Sequence, residues 1–84
     1  MIIAPSVLTA DLAALGSACD EAVEAGLDWL HLDVMDGNFV PNLTFGPPVI
    51  KQLRKHLGDG PIFEAHLMVE NAETMYQDYI DAGC

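Results

Sequence analysis

Residues 31–47 read His31-Leu32-Asp33-Val34-Met35-Asp36-Gly37-Asn38-Phe39-Val40-Pro41-Asn42-Leu43-Thr44-Phe45-Gly46-Pro47. The stretch begins as a strand and ends as a long loop. Extended back to Trp29, it alternates. Trp29, His31, Asp33 and Met35 share one face, and Leu30, Leu32 and Val34 share the other. The second face is purely aliphatic. The first carries an imidazole and a carboxylate two residues apart, the separation at which a strand aims two metal ligands or two acid/base groups into one cavity. Asp36-Gly37 then marks a turn, followed by a loop rich in Pro, Asn and Gly. Polar chemistry at the C-terminal end of a strand, beneath a long loop, is how α/β proteins build active sites.

The flanking chain repeats one rhythm. Ile2 to Leu8 reads as a first strand, with Ile2, Ala4, Ser6 and Leu8 on one face, although Pro5 cannot donate to a ladder. Thr9-Ala10-Asp11 offers an N-cap. Leu12, Leu15, Ala18, Cys19, Ala22 and Val23 then recur at helical spacing up to Ala25 and Gly26, and Gly16 is expected to break a short turn from the main helix. Asp28 to Met35 is the second strand. Phe39, Val40, Leu43 and Phe45 make the following loop apolar enough to fold over something. Pro47-Pro48 opens a helix whose inner face is Val49, Ile50, Leu53 and Leu57, with Lys51, Arg54 and Lys55 towards the end that favours cations. Gly58-Asp59-Gly60-Pro61 stops it. Ile62 to Val69 is a third strand, with Ile62, Glu64, His66 and Met68 on one side. Asn71 caps a last helix that runs to Gly83.

The order β-α-β-α-β-α implies a parallel sheet with right-handed crossovers. One face of each strand is apolar enough to lie under helices. The opposite faces collect Ser6, His31, Asp33, Met35, His66 and Met68 towards the C-terminal edge. A doubly wound sheet, covered on both sides, would be aliphatic on both faces, and the first βα turn lacks a glycine-rich phosphate fingerprint. The contrast between faces favours a (β/α)₈ TIM barrel. Such a barrel takes about 250 residues, so the expected architecture is its first three βα units. Residues 1–84 would be the N-terminal part of one domain, with sheet edges left open.

The composition narrows the function. Among 84 residues there are 13 acidic and 3 basic side chains, a formal net charge of −10, which argues against nucleic acid and anionic membrane surfaces as partners. The apolar runs are too short and interrupted for a transmembrane helix, and the start lacks the basic and apolar regions of a signal peptide. Cys19 and Cys84 make no disulfide framework and read as reduced thiols of a cytoplasmic protein.

Taken singly, the candidate site residues have ordinary explanations. His31 and His66 fit as interior histidines, Met35 and Met68 as core filler, and Asp36-Gly37 as a turn. Asp33 between Leu32 and Val34 is harder to place, because a carboxylate inside a strand is costly to bury unless it is paired or bound to a metal. Together, two imidazoles and one carboxylate of the same parity suit a divalent ion such as Zn²⁺, Fe²⁺, Mn²⁺ or Co²⁺. No residue offers itself as a fourth protein ligand.

These motifs carry a resemblance. Ile3-Ala4-Pro5-Ser6-Val7-Leu8-Thr9-Ala10-Asp11 resembles the opening of ribulose-phosphate 3-epimerases, residues 31–47 are similar to their most distinctive signature, and His66-Leu67-Met68-Val69-Glu70-Asn71 is similar to their third-strand motif. The resemblance implies a TIM barrel that interconverts D-ribulose 5-phosphate and D-xylulose 5-phosphate, a step of the pentose phosphate pathway, by proton transfer at C3 through an enediolate. It implies His31, Asp33 and His66 as metal ligands, Zn²⁺ or Fe²⁺ foremost, and Asp33 as one of two catalytic acid/base carboxylates. Ser6, His31, His66, Met35 and Met68 would meet the sugar phosphate, and the full-length protein would be a homo-oligomer. The family's second carboxylate, also its fourth ligand, and its phosphate-binding loops come from later strands. The 84 residues alone are therefore expected to be inactive, and the missing anion-binding half accounts for the acidic balance. Asn38 stands where the family pattern leads one to expect His, and Glu64-Ala65 precedes His66 where members vary. The alternatives are an epimerase for a six-carbon ketose 6-phosphate such as allulose 6-phosphate, and a non-catalytic fragment that binds a partner.

Overall fold

The computed structural model describes Ile3, Ala4, Ser6 and residues 12–84. A 3₁₀ turn, Leu12–Ala14, leads into helix α1, Leu15–Glu24; strand β1, Trp29–Met35; helix α2, Pro47–Leu57; strand β2, Ile62–Met68; and helix α3, Ala72–Ala82. Strands β1 and β2 are parallel, in a register that sets His31 opposite Glu64, Asp33 opposite His66 and Met35 opposite Met68. The chain is thus an α/β structure with parallel strands and an open sheet. The expected first strand lies mostly outside the described residues. Ser6 alone is seen to pair, as a single parallel bridge with His31.

The alternation expected of β1 is observed. Leu30, Leu32 and Val34 are buried, while Trp29, His31, Asp33 and Met35 are half-buried. Phe63 and Val69 extend the buried side around β2. Leu15 and Cys19 of α1, Ile50 and Leu53 of α2, and Tyr79 and Ala82 of α3 complete a single cluster with them. Each fully buried Leu- or Ile-sized side chain stabilises such a core by about 1.5–3 kcal/mol. Driven by the apolar face, the sheet holds its His–Asp face away from the helices.

Several local expectations need correction. Gly16 does not break the helix: the 3₁₀ turn passes into α1 at Ala14–Leu15, and Gly16 lies inside α1. A Cβ at Gly16 would stand 3.3 Å from the His56 ring, so the glycine serves the close approach of α1 to α2, across which His56 Nε2 lies 2.8 Å from Asp20 Oδ2. The expected cap at Thr9-Ala10-Asp11 falls outside the described residues; the N-cap position of α1 is Ala14, without a side-chain bond. Asn71 does precede α3, but its backbone carbonyl takes the bonds, from the Thr74 and Met75 amides and the Thr74 hydroxyl. Val49, expected on the inner face of α2, is 39% exposed, while Ile50 and Leu53 are the buried residues of that helix. In the loop after β1, Phe45 packs against the core while Phe39 and Leu43 are exposed. Pairing of Asp36 with Leu43, and the Gly37 amide bonded to the Asn42 carbonyl, fold that loop back on itself. Cys19 and Cys84 are not bridged. Burial, with the Asp20 charge beside it, raises the Cys19 thiol above its ordinary pKa.

Candidate metal and acid/base site

Asp33 is the hub of the polar sheet face. It stands one pleat beyond His31 on β1 and directly opposite His66 on β2. Its Oδ2 accepts a hydrogen bond from Ser6 Oγ at 2.9 Å. Its Oδ1 lies 3.1 Å from His31 Nε2 and 3.3 Å from His66 Nδ1. The two imidazole centroids are 5.8 Å apart and the rings are tilted by 55°. His31, Asp33 and His66 each offer a ligand atom, and all three atoms fall within 4.8 Å of one another.

The strand end is fixed from the loop side. Thr44 Oγ1 accepts from the Met35 amide and donates to the Asp33 carbonyl, each at 2.9 Å, and the Thr44 amide returns a bond to the Met35 carbonyl. Asp36 ties two loops together. Its Oδ1 accepts from the amides of Asn38 and Phe39, and its Oδ2 from the amide of Glu70 beyond β2. Those amides hold the Asp36 carboxyl below the usual carboxylate range, the Glu70 bond most strongly.

The electrostatics follow from the crowding of Asp33. Partial burial pushes its carboxyl upward, but the Ser6 hydrogen bond, the charge and contact of His31 and the contact of His66 outweigh it. The net effect holds Asp33 below its ordinary value. Burial pulls His31 down, and the Glu64 hydrogen bond, together with the charge and contact of Asp33, overcomes it; His31 is raised overall. His31, Asp33 and His66 thus present two nitrogens and a carboxylate oxygen to one space.

A divalent ion could occupy that space. Its bonds to nitrogen and oxygen are about 2.0–2.2 Å long, so its ligand atoms must gather within about 4 Å of one another, and the separations of Asp33 Oδ1 from His31 Nε2 and His66 Nδ1, 3.1 and 3.3 Å, already meet that bound. The donor set, two imidazoles and one carboxylate, suits a borderline ion. His31, Asp33 and His66 could therefore hold one.

The structure brings together four of the six residues singled out in the sequence: Ser6, His31, Asp33 and His66. Met35 and Met68 face each other across the register one pleat further on, both half-buried. Sequence reasoning missed Glu64, whose Oε1 lies 2.6 Å from His31 Nδ1. Its parity with His66 was visible; that it would stand opposite His31 depended on the register. The clamp formed by Thr44 had no signal beyond its place in the loop.

The fold and the cluster define an α/β protein with parallel strands that presents a histidine–aspartate–histidine group on the polar face of its sheet. Comparison with known proteins narrows this class. The family model described as the ribulose-phosphate 3 epimerase family matches residues 2–84, and the chain belongs to that family. The ribulose-phosphate 3-epimerase of Escherichia coli (strain K12) is 48% identical over 82 residues, covering 98% of this chain and 36% of its own length. The cytoplasmic isoform of ribulose-phosphate 3-epimerase from Oryza sativa subsp. japonica is 49% identical over 81 residues, covering 96% and 35%. The enzyme of that name from Eremothecium gossypii is 44% identical over 91 residues, covering 98% and 38%. The chain thus spans a little over a third of the length of these relatives.

Proposed function

We propose that this chain is the first three βα units of a TIM-barrel ribulose-phosphate 3-epimerase, which interconverts D-ribulose 5-phosphate and D-xylulose 5-phosphate. The observation that carries the reading is the convergence of Ser6, His31 and His66 on Asp33. It occurs in a chain of that family, on the sheet face away from the helices. All three relatives bear the name of the pentulose enzyme, which favours this substrate over a six-carbon ketose phosphate and a catalytic role over a partner-binding fragment.

The chemistry is proton exchange at C3, next to the C2 carbonyl. Asp33 is the residue that moves the proton. Held below its ordinary pKa, it is ionised at neutral pH and ready to act as base on one face of the sugar. Ser6 keeps the Asp33 carboxylate aimed by donating to Oδ2, and the Thr44 clamp on the Asp33 carbonyl holds the strand beneath it. His31, Asp33 and His66 would hold the divalent ion, with Zn²⁺ or Fe²⁺ the preferred occupants and Mn²⁺ or Co²⁺ compatible with the same donors. When bound, that ion supplies Lewis-acid stabilisation of the charge developing on the sugar oxygens. Met35 and Met68 border the reacting centre as soft, apolar side chains that exclude water without donating protons. Reprotonation on the opposite face takes a second acid/base group, expected from a later strand, so the 84 residues alone should show no turnover. No described helix is long and apolar enough to cross a membrane. The name of the rice relative, a cytoplasmic isoform, supports a cytoplasmic location.

The test uses the full-length protein, incubated with D-ribulose 5-phosphate in D₂O and followed by proton NMR. The expected result is loss of the C3 proton signal together with appearance of D-xylulose 5-phosphate. Asp33→Asn, which keeps the shape but removes the base, should lower kcat by about 10²–10⁴-fold. Absence of C3 exchange in the wild-type protein, or an unchanged kcat in Asp33→Asn, would overturn the reading.

A further inference from the structure

We propose that Glu64 is the positioning residue for His31: by accepting the Nδ1 proton it holds the imidazole in the one tautomer whose Nε2 can take a metal. The inference rests on the metal reading above and deepens it.

A neutral imidazole has one N–H and one lone pair. His31 sits between two carboxylates that compete for that single proton. Glu64 Oε1 is 2.6 Å from Nδ1, and Asp33 Oδ1 is 3.1 Å from Nε2. Both acceptors are carboxylates, and the shorter contact is the stronger, so the proton resides on Nδ1 and the Nε2 lone pair is turned towards Asp33. A metal ligand must present that lone pair. If Glu64 were absent, Asp33 would be the remaining carboxylate partner of the ring. It would draw the proton onto Nε2 and close the ligand position. Glu64 thus opposes a hydrogen bond that the site's own carboxylate would otherwise impose.

The register makes the arrangement economical. Glu64 stands directly opposite His31 and two residues before His66, so a single strand, β2, carries both a ligand and the carboxylate that orients the other ligand. Glu64 meets the ring edge away from Asp33 and is not one of the three groups whose ligand atoms converge. Its part is orientation, the role that carboxylate partners play for metal-bound histidines generally.

Two readouts on the full-length protein, stripped of metal by chelation, test this. The first is ¹⁵N–¹H multiple-bond correlation of the histidine rings at a pH where they are neutral. His31 should be the Nδ1–H tautomer in the wild type and should move towards Nε2–H in Glu64→Ala. The second is Co²⁺ titration followed by its visible absorption. Glu64→Ala should weaken Co²⁺ binding about 10–100-fold. Glu64→Gln retains an acceptor oxygen at the same reach and should restore the tautomer and part of the affinity, which a loss of folding would not allow. The same His31 tautomer in wild type and Glu64→Ala, or unaltered Co²⁺ affinity in that variant, would overturn the proposal. A wild-type protein that binds no Co²⁺ would instead sink the metal reading, and the tautomer comparison would still decide the role of Glu64.

Discussion

Arg54 in the last turn of α2 offers the sharpest test of how the sheet and helices are joined. Its Nη1 donates to the carbonyls of Gly58 at 2.9 Å and Pro61 at 2.7 Å, and its Nη2 to the carbonyl of Gly83 at 2.8 Å. The guanidinium carbon lies 3.8 Å from the centroid of the Phe63 ring. One side chain therefore closes the end of α2, the entry to β2 and the end of α3. Hydrogen bonds to a charged group are worth about 1.5–3 kcal/mol each. The Gly58 bond is exposed and counts for little, so the two half-buried bonds at the low end, with about 0.5–1 kcal/mol for the stacked ring, give about 3.5–4 kcal/mol for Arg54→Ala. In a protein the size of the matched relatives, each kcal/mol moves Tm by about 2–4 °C, so calorimetry on the full-length protein should record a fall of about 7–16 °C. Arg54→Lys keeps the charge but not the fork and should recover less than half of it. Gly83→Ala supplies a second handle. With φ at 131° and an added Cβ 2.9 Å from Arg54 Nε and 3.0 Å from its Cβ and Cγ, it should displace the guanidinium, and its cost should shrink in an Arg54→Ala background. A Tm change below about 2 °C in Arg54→Ala, or strict additivity with Gly83→Ala, would refute the clamp.

Further outcomes are expected at the other end of the sheet. Thr44→Val should cost about 1–3 kcal/mol, because the half-buried Met35 amide and Asp33 carbonyl both lose their partner; Thr44→Ser should restore it, and urea unfolding of the full-length protein separates the two. Asp36 has a folded-state pKa below its unfolded value of about 3.8. Its stabilising contribution is therefore complete above that value and is lost as pH falls through the depressed folded value. Asp36→Asn turns an amide group towards the Glu70 amide or the Asn38 and Phe39 amides, so it should destabilise the protein at neutral pH and flatten the acid limb of the stability profile, measured as Tm against pH. In the activity assay, Ser6→Ala should lower kcat less than Asp33→Asn does, since Ser6 orients the carboxylate and does not move the proton; an equal loss would show that Ser6 takes part in the transfer.

Much of this site is legible in the sequence. Strand parity does not depend on tertiary context, because successive side chains on an extended backbone must alternate. The assignment of His31, Asp33 and Met35 to one face, and of Leu30, Leu32 and Val34 to the core, followed from that rule and the aliphatic character of the second set. The same rule put His66 and Met68 together, and also Glu64, without saying what Glu64 would meet. The helix around Ile50 and Leu53, opened by Pro47-Pro48 and stopped at Gly58, was equally legible from local preferences.

Register and approach distance belong to the tertiary structure. Nothing local to β1 or β2 determines that Asp33 stands opposite His66 and His31 opposite Glu64; a shift of the pairing would part those two cross-strand pairs, leaving the His31–Asp33 contact within β1 and each strand's pattern intact. The packing of the apolar faces and the anchoring of strand ends choose among those shifts. Arg54 holds the start of β2, while Thr44 and Asp36 hold the end of β1 and the loop after β2. Gly16 shows the same division. Its sequence position suggests a helix break, but the 3.3 Å clearance to His56 makes it a contact point between two helices. The residue types and their faces were thus determined by the sequence through backbone geometry. Which carboxylate meets which imidazole was decided by long-range packing, because hydrogen bonds of 2.6–3.3 Å form only between groups that the whole fold has already brought into place.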